Sequence, residues 1–283
     1  MPTGTLFVVA TPIGNLEDIT VRALRVLREV ALIAAEDTRR TAHLLARHAI
    51  ATSTTSLHAH NEHKKTAALV DRLLAGESIA LVSDAGTPTI SDPGSELIAA
   101  AVAAGVRVEP IPGPSAILAA LTASGLPYDA FTFLGFPPTK SKDRRAWFAR
   151  LIHVGGTVVF FEAPHRIART LTDLAQTIGN RPIMLGRELT KTHEQLVRGP
   201  IMTVLEHLPA ERGEFTVVVD IGHATDIIPS CAPDDASLAA QLGELTATTR
   251  LSRREAIAEL AGRHRLSANA VYAAIERAKN SGY

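Results

Sequence analysis

Residues 78–105 decide the fold; they read SIALV, SDAGTPTISDPG and SELIAAAVAAG in succession. The first segment is a short apolar run typical of a buried strand. The last has helical spacing and ends in glycine, as helices often do. A strand, a loop and a helix in this order are the unit from which α/β folds are built. Because ligands bind beyond the carboxyl ends of strands in open α/β sheets, the loop at 83–94 is a candidate binding site.

The same unit recurs along the chain, where short apolar runs alternate with segments of helical period. We predict strands at residues 6–11, 31–36, 78–83, 106–111, 130–136, 157–162, 182–187 and 214–221. This alternation predicts an α/β architecture with a largely parallel sheet.

Two boundaries divide the chain. Proline and glycine cluster at 110–127, which predicts two α/β domains at residues 1–115 and 116–224. The polar segment 223–237 then precedes a tail of helical period, which predicts a small helical module at residues 233–283.

The composition, 46% hydrophobic and 20% charged over 283 residues, is that of an ordinary globular protein. A formal net charge of zero gives no global field toward nucleic acid, so nucleic-acid binding would require a local basic patch. The single cysteine, Cys231, excludes a disulfide within the chain and predicts a reducing, cytoplasmic setting. No apolar run approaches the roughly 18 residues of a membrane span, so no membrane association is expected.

Asp84 is the residue of the 83–94 loop that helix capping does not explain, because it directly follows the strand. Asp92, Pro93 and Gly94 instead fit the start of the next helix, with Asp92 as N-cap and Pro93 at the first helical position. We therefore predict a ligand role for Asp84 and a structural role for Asp92.

The turn PIPGP at 110–114 repeats this arrangement after another strand. Ser115 then opens a helix whose free N–H groups face the same edge, although a proline-rich turn with a serine N-cap is the simpler alternative. The loop after the first strand, TPIGN at 11–15, carries neither a G-x-G-x-x-G fingerprint nor a P-loop. A nicotinamide- or ATP-dependent enzyme therefore has no support.

Seven segments together carry a resemblance to a known family. They read ATPIGNLEDIT (10–20), AEDTRRTAHLL (35–45), SDAGTPTISDPG (83–94), PIPGPSA (110–116), LGFPP (134–138), FFEAPHRI (160–167) and GRELTKTHE (186–194). In these segments and their order the chain resembles the ribosomal RNA small subunit methyltransferase I family, a branch of the tetrapyrrole methylase superfamily.

The resemblance implies a two-domain α/β tetrapyrrole-methylase-like fold, distinct from the Rossmann fold, with a helix-turn-helix-like C-terminal module. It implies 2′-O-methylation of a cytidine ribose in the decoding region of 16S rRNA in the small ribosomal subunit. S-adenosylmethionine is the implied methyl donor and a homodimer the implied assembly. The implied cofactor contacts are Pro12, Asp84, Gly86, Thr87, Pro88, Ser115, Ala116 and Phe161.

The chain departs from the superfamily in one loop. Tetrapyrrole methylases proper usually carry a glycine-rich loop after the first strand, where this chain has TPIGNL at 11–16. This difference favours RNA over a porphyrinoid substrate.

Two glutamates are candidates for the proton acceptor that a weakly acidic ribose hydroxyl needs. Glu162 stands at a strand end where no structural role is evident and is the first candidate, and Glu36 is the second. Asp37 and Thr38, next to Glu36, have helix capping as their alternative role. Methyl transfer from a sulfonium requires no metal, and we predict none.

Basic residues in three segments are candidates for RNA contact. They are Arg39, Arg40, Lys140, Lys142, Arg144, Arg145 and Arg166. Residues 138–148 combine four of these cations with Trp147 and Phe148, although a charged helix start with aromatic core residues is the alternative. For Arg39 and Arg40 the alternative is a solvated helix face. The tail from Arg250 onward has seven basic residues against three glutamates and is a further candidate RNA surface.

The segment LHAHNEHKK at 57–65 invites a metal interpretation through His58, His60 and His63. No further cysteine or histidine completes a ligand set there, so we predict a polar loop on the substrate side.

Two other functions stay open from the sequence. A tetrapyrrole or protein side-chain methylase of the same superfamily would bind no RNA. A non-catalytic RNA-binding assembly factor would bind ribosomal particles and leave the methyl donor unused. Cofactor calorimetry and methyl transfer to small ribosomal subunits distinguish the three.

Overall fold

The computed structural model describes residues 2–208, 212–222, 235–248, 252–264 and 267–280. The chain divides into two compact units, Met1–Ala224 and Thr225–Tyr283. The predicted α/β class with additional C-terminal helices is confirmed. Of the helices within the described ranges, none combines the length and the apolar content needed to cross a membrane.

The first sheet of the larger unit is fully parallel. Its strands are β1 (Thr5–Val9), β2 (Leu32–Ala35), β3 (Thr54–Ser56), β4 (Ile79–Val82) and β5 (Arg107–Ile111). They lie in the order β3-β2-β4-β1-β5. Because all five strands run the same way, the loops that follow them meet at one edge. β3 is not predicted from sequence, since its residues, TTS, form no apolar run.

Four helices cover the first sheet, two on each face. They are α1 (Val21–Glu29), α2 (Thr38–Arg47), α3 (Glu62–Leu74) and α4 (Ser95–Ala103). Alternate residues of the buried strands serve opposite faces: Ile33 packs with α1 and α2, and Ala34 packs with α3 and α4. This is why β2 and β4 are apolar at every position.

The second sheet is mostly antiparallel, so the prediction of a largely parallel sheet is wrong for this half. After α5 (Ala116–Ser124) come β6 (Phe131–Phe133), β7 (Thr157–Glu162), β8 (Pro182–Arg187), β9 (Gln195–Pro200) and β10 (Phe215–Asp220). Their order is β6-β7-β10-β8-β9, and β6 with β7 is its parallel pair. The loop 188–194 between β8 and β9 is too short for a helical crossover, so β9 returns antiparallel.

Helices α6 (Ser141–Val154), α7 (Ile167–Ile178) and α8 (Ile201–Glu206) complete the larger unit. Helix α5 leaves the first sheet at β5 but packs on the second sheet, where Ala120 and Leu121 contact Val159, Met184 and Val218. Residues 1–224 form one compact unit, so the division at residue 115 stays a prediction.

In its described residues, the smaller unit contains three helices around their own core. They are α9 (Asp235–Thr248), α10 (Arg253–His264) and α11 (Ala268–Asn280). Leu242, Leu260 and Ile275, one from each helix, are buried in this core. The predicted module start at residue 233 and Cys231 lie outside the described residues.

Candidate functional site

A cavity of about 400 Å³ lies where the carboxyl ends of the first sheet face one edge of the second. The first sheet contributes the loops after β1, β2, β4 and β5. The second contributes the ends of β7 and β8 and the start of β10, which share an edge because β10 is antiparallel to both. The volume is typical of a small-molecule site.

The wall of this cavity is mostly apolar with a few converging charges. Its apolar side chains include Ile13, Ile90, Ala116, Ile117, Phe136, Phe161 and Leu189. Its ionisable residues are Glu36, Arg40, Asp84, Asp92, Glu162 and Glu214. An apolar cleft with a small number of placed polar groups is the usual form of a ligand site.

Six of the eight residues predicted to contact the cofactor lie on this wall: Asp84, Gly86, Thr87, Ser115, Ala116 and Phe161. Pro12 and Pro88 do not. Pro12 lines a smaller adjacent cavity of about 80 Å³ together with Ser83 and Asp84, and Pro88 is buried. Both prolines therefore shape the loops and do not face the larger cavity.

Gly86 ties the loop after β4 to the loop after β1. Thr11 N–H donates to the Gly86 carbonyl at 2.9 Å, and Gly86 N–H donates to the Thr11 carbonyl at 3.0 Å. The φ of Gly86 is +78°, a left-handed conformation that favours glycine. A Cβ there would lie 3.4 Å from the Ile13 Cγ2 atom on the cavity wall.

The loop after β4 is strained beyond Gly86. Thr89 and Ser91 are non-glycine residues at φ of 72° and 73°, and Gly94 has φ of 119°. For non-glycine residues such conformations cost on the order of 1–3 kcal/mol each, and they cluster at binding and catalytic sites. The surrounding structure must therefore hold this loop in place.

The predicted N-cap role of Asp92 is wrong, because Glu62 accepts the hydrogen bonds at the start of α4 and so holds the end of this loop. Helix α4 starts at Ser95 with Gly94 as N-cap. Glu62 Oε1 accepts hydrogen bonds from the N–H groups of Gly94 (3.0 Å) and Glu96 (2.8 Å), with a third from the following residue at 3.3 Å. Because a buried glutamate from α3 satisfies the helix start, Asp92 is released to line the cavity.

Asp84 joins the loops after β2 and β4. Its Oδ1 accepts a hydrogen bond from Asp37 N–H at 3.0 Å, and its Oδ2 lies 3.5 Å from an Arg40 guanidinium nitrogen. Its own N–H donates to Glu36 Oε2 at 3.2 Å. Glu36 and Asp84, predicted separately from sequence, therefore lie side by side.

Glu162 has a structural role that the sequence does not reveal. One carboxylate oxygen accepts from Ala163 N–H at 2.7 Å, and the other accepts from the Thr170 hydroxyl at 2.6 Å. Arg166 Nε lies 3.3 Å from the first oxygen. The Glu162 side chain is fully buried, so a carboxylate with both oxygens engaged is poorly placed to take a proton from a ligand.

Helix capping by Asp37 is confirmed, since its side chain accepts from Arg39 N–H at the start of α2. The Arg39 side chain also binds this carboxylate, and these hydrogen bonds lower the pKa of Asp37 to about 2. Arg39 itself is 88% exposed, whereas Arg40 reaches the cavity wall.

The predicted RNA contact of Arg144 is wrong, because this side chain is 2% exposed. Its guanidinium binds Asp173 of α7 and the Thr139 carbonyl. Arg144 stands on the buried face of α6 with Phe148 and Leu151, one and two turns further along the helix.

Arg166 is also mostly enclosed, and it donates hydrogen bonds to the carbonyls of Pro137 and Pro138. Lys140, Lys142 and Arg145 are exposed. Of the predicted basic loop, these three side chains are the ones that solution reaches.

The histidine-rich segment is held by local contacts. His58 shares a hydrogen bond with the Asn61 side chain at 3.1 Å, and His63 Nδ1 lies 2.6 Å from Glu96 Oε1. Within the described part of the chain, no group of three or more potential metal ligands converges.

Asp92 lines the cavity, a position that its sequence neighbours did not predict. Burial, followed by the charge of Glu36, raises the pKa of Asp92 to about 6, and the charge of Asp84 adds to this while a hydrogen bond from Ser83 opposes it. The sequence signal for capping hides this role, because nothing near Asp92 in sequence indicates that Glu62 caps α4 instead.

We expect Asp92→Asn to raise the free energy of unfolding by roughly 1–2 kcal/mol at pH 8, a value already discounted for partial exposure. Because the pKa of Asp92 is raised in the folded protein, its protonated side chain stabilises the folded state below the unfolded pKa, and this contribution is lost as the pH rises through about 6. Above that pH the ionised carboxylate is disfavoured in the folded state, whereas asparagine carries no charge. The gain in stability from Asp92→Asn should therefore vanish near pH 4, where Asp92 is protonated in the folded protein. Urea unfolding of both proteins at pH 4, 6 and 8 measures it, and a pH-independent difference would contradict the assignment.

The chain is similar in sequence or in fold to several known proteins. Residues 5–205 match the family described as Tetrapyrrole (Corrin/Porphyrin) Methylases. The chain is 46% identical to a ribosomal RNA small subunit methyltransferase I from Vibrio cholerae, over 94% of this chain and 92% of that one. It is 45% identical to the protein of the same name from Synechocystis, over 95% and 96%.

Among solved structures, the uroporphyrin-III C-methyl transferase from Thermus thermophilus, complexed with S-adenosylhomocysteine, has a TM-score of 0.55 at 19% identity. The match covers 77% of this chain and 97% of that one. At this identity the likeness concerns the fold.

Proposed function

The chain belongs to the tetrapyrrole methylase family and, within it, to the ribosomal RNA small subunit methyltransferase I family, and from this premise we propose its reaction. It transfers a methyl group from S-adenosylmethionine to the rRNA of the small ribosomal subunit. The acceptor is the 2′-hydroxyl of a cytidine ribose in the decoding region of 16S rRNA.

The observation that carries this proposal is the cavity at the carboxyl ends of the first sheet. An adenosyl sulfonium requires an apolar wall for its base and negative charge for its cation. Ile13 and Phe161 supply apolar surface, and Asp84 supplies the charge. Gly86 has no side chain to hold a ligand away from its backbone, and the helix start at Ser115 presents backbone N–H groups at the same cavity.

S-adenosylmethionine, when bound, supplies an electrophilic methyl group on a positively charged sulfur. The chain has three tasks: to align the acceptor hydroxyl, to exclude water and to take up the hydroxyl proton. The apolar wall serves the second task, and it includes Phe136, whose ring centroid lies 5.5 Å from that of Phe161. The cavity carboxylates serve the third.

The exposed cations before and on α6 are the proposed rRNA contact. We expect the triple variant Lys140→Ala, Lys142→Ala and Arg145→Ala to bind small ribosomal subunits more weakly and with a shallower salt dependence. If three phosphate contacts are lost, the plot of the logarithm of the binding constant against the logarithm of the salt concentration should become less steep by about 2. Cofactor affinity should be unchanged, because none of the three lines the cavity.

A matched control removes the same charge elsewhere. Arg25→Ala, Arg28→Ala and Arg47→Ala remove three exposed cations from α1 and α2. Filter binding at several salt concentrations compares both variants with the wild type. Equal slopes for the two triple variants would count against the α6 contact.

The helices of the smaller unit are a second proposed rRNA contact, which the described cations support only in part. Arg253 pairs with Glu276 and Arg277 pairs with Asp235, so two of the tail's basic side chains are engaged within the unit.

A homodimer is also part of the proposal, and light scattering of the purified chain measures it.

Methyl transfer to ribosomal particles tests the function itself. Small subunits from a strain lacking the modification are incubated with the protein and tritiated S-adenosylmethionine. A 2′-O-methyl group blocks alkaline cleavage at its nucleotide, so the acceptor is located by hydrolysis of the labelled rRNA. Label on a base, on protein or on added uroporphyrinogen and not on ribose would replace the proposed acceptor. Cofactor binding without transfer to any of these would favour an assembly factor.

A further inference from the structure

Asp92 differs in its surroundings from the other carboxylates of the cavity. Glu36 accepts a hydrogen bond from the Asp84 N–H, and Asp84 is engaged by Asp37 N–H and by Arg40. Glu162 is engaged at both oxygens. In the described ranges, Asp92 forms no ion pair with a lysine or an arginine, and the Ser83 hydroxyl is the group that lowers its pKa against the effect of burial.

The backbone presents Asp92 from a strained segment. Thr89 and Ser91 have left-handed φ values. The hydrogen bond from Gly94 N–H to Glu62 fixes the backbone on the other side of Asp92. Gly94 itself fits closely, because a Cβ there would lie 2.6 Å from the Leu81 Cδ2 atom. The strained backbone therefore presents to the cavity a side chain that would cap the helix at an ordinary helix start.

We propose that Asp92 is the proton acceptor of the methyl transfer and that Glu62 is the residue that positions it. This inference rests on the proposed function. The acceptor hydroxyl oxygen gains the methyl carbon, the carbon–sulfur bond breaks with its electron pair remaining on sulfur, and the hydroxyl proton passes to an Asp92 carboxylate oxygen.

The electrostatics of the cavity suit this role. Glu36 and Asp84 face Asp92 from the first sheet, with Arg40 behind Asp84, while Glu162 and Glu214 line the wall from the second sheet. A pKa near 6 keeps Asp92 ionised at neutral pH but makes it a stronger base than an ordinary aspartate. The wild-type rate should therefore rise with pH through about 6.

The test compares Asp92→Asn with the wild type in two measurements. Calorimetry gives the affinity for S-adenosylmethionine, and single-turnover transfer to small ribosomal subunits at pH 5–8 gives the rate. We expect cofactor affinity to change by less than about 3-fold and the rate to fall by on the order of 10²–10⁴, the usual contribution of a positioned base. The rise of the rate through pH 6 should disappear in the variant.

Three outcomes would overturn the proposal. A variant rate within about 3-fold of wild type removes Asp92 from the chemistry. A loss of cofactor affinity that accounts for the whole loss of rate makes Asp92 a counter-charge for the sulfonium. A wild-type protein that binds cofactor but transfers no methyl group to ribose overturns the proposed function, and it is recognised without any variant.

Glu62 has a separate test that distinguishes positioning from folding. Glu62→Ala should lower the single-turnover rate at least about 10-fold in folded protein and displace the pH midpoint of that rate. Glu62→Gln keeps an acceptor oxygen for the Gly94 N–H and should restore most of the rate. Asp71→Asn, an exposed residue of the same helix, is the matched control and should leave the rate unchanged. An unaltered pH midpoint in Glu62→Ala, or no rescue by glutamine, would reduce Glu62 to a structural residue.

Discussion

Arg144→Ala is expected to destabilise the protein by about 3–5 kcal/mol, the usual cost of breaking a buried ion pair by removing one partner. Arg144 Nε and Nη2 lie 3.0 Å and 2.6 Å from Asp173 Oδ2, and Nη1 lies 3.0 Å from the Thr139 carbonyl oxygen. The alanine variant leaves the Asp173 carboxylate without its cation between α6 and α7. The arginine therefore stabilises the packing of two helices, and we expect Arg144→Ala to weaken rRNA binding only through loss of the fold.

Arg145→Ala is the natural control, because it removes the same chemical group one residue later on the exposed face of α6. We expect its stability to lie within about 0.5 kcal/mol of wild type. Urea denaturation measured by circular dichroism gives both values. Similar stabilities for the two variants would show that the ion pair contributes little, while weaker rRNA binding by a fully stable Arg144→Ala would restore the sequence-based hypothesis.

Gly94→Ala is expected to cost about 2–5 kcal/mol, from backbone strain together with overpacking. The φ of 119° at Gly94 is a conformation that residues with a Cβ rarely adopt. The new methyl group would lie 2.6 Å from Leu81 Cδ2 and 3.3 Å from Thr89 Cγ2, so the buried Leu81 side chain or the strained loop has to move. Movement of the loop should also lower the affinity for S-adenosylmethionine.

Gly105→Ala separates strain from packing. Gly105 also has a positive φ, 72°, but a Cβ there would meet nothing within 4 Å. Its cost should be limited to about 1 kcal/mol of conformational strain, with cofactor affinity unchanged. Thermal unfolding and calorimetry on both variants test this, and equal losses of stability would mean that the contact with Leu81 is unimportant.

The loops that end the strands of the first sheet can be predicted from residue chemistry and strand direction. Parallel strands bring their carboxyl ends to one edge, which places Asp84 and Ser115 in a common site, and both lie on the wall of the same cavity. Asp37 and Ser115 are recognisable as caps because a cap depends on residues within one helical turn. Both arguments use information that is local in sequence or follows from strand direction.

Other roles depend on contacts that local sequence rules do not reveal. From sequence Glu162 resembles a free carboxylate at a strand end, but the fold brings Thr170 and Arg166 against it. Arg144 resembles one more cation in a basic loop, because Asp173 lies 29 residues further along the chain. Charge patterns in sequence do not indicate which cation a buried carboxylate will pair with.

The sequence by itself determined the α/β class, the strands with continuous apolar runs and the edge of the first sheet that carries the cavity. Tertiary structure decided that the second sheet is mostly antiparallel. The direction of each strand depends on the length of the connecting loop and on which strand it pairs with, and the apolar period does not indicate it. Tertiary structure also decided the fate of Asp92. A glutamate 32 residues before Gly94 takes over the capping of α4, and the aspartate that local rules assign to the helix is left facing the cavity.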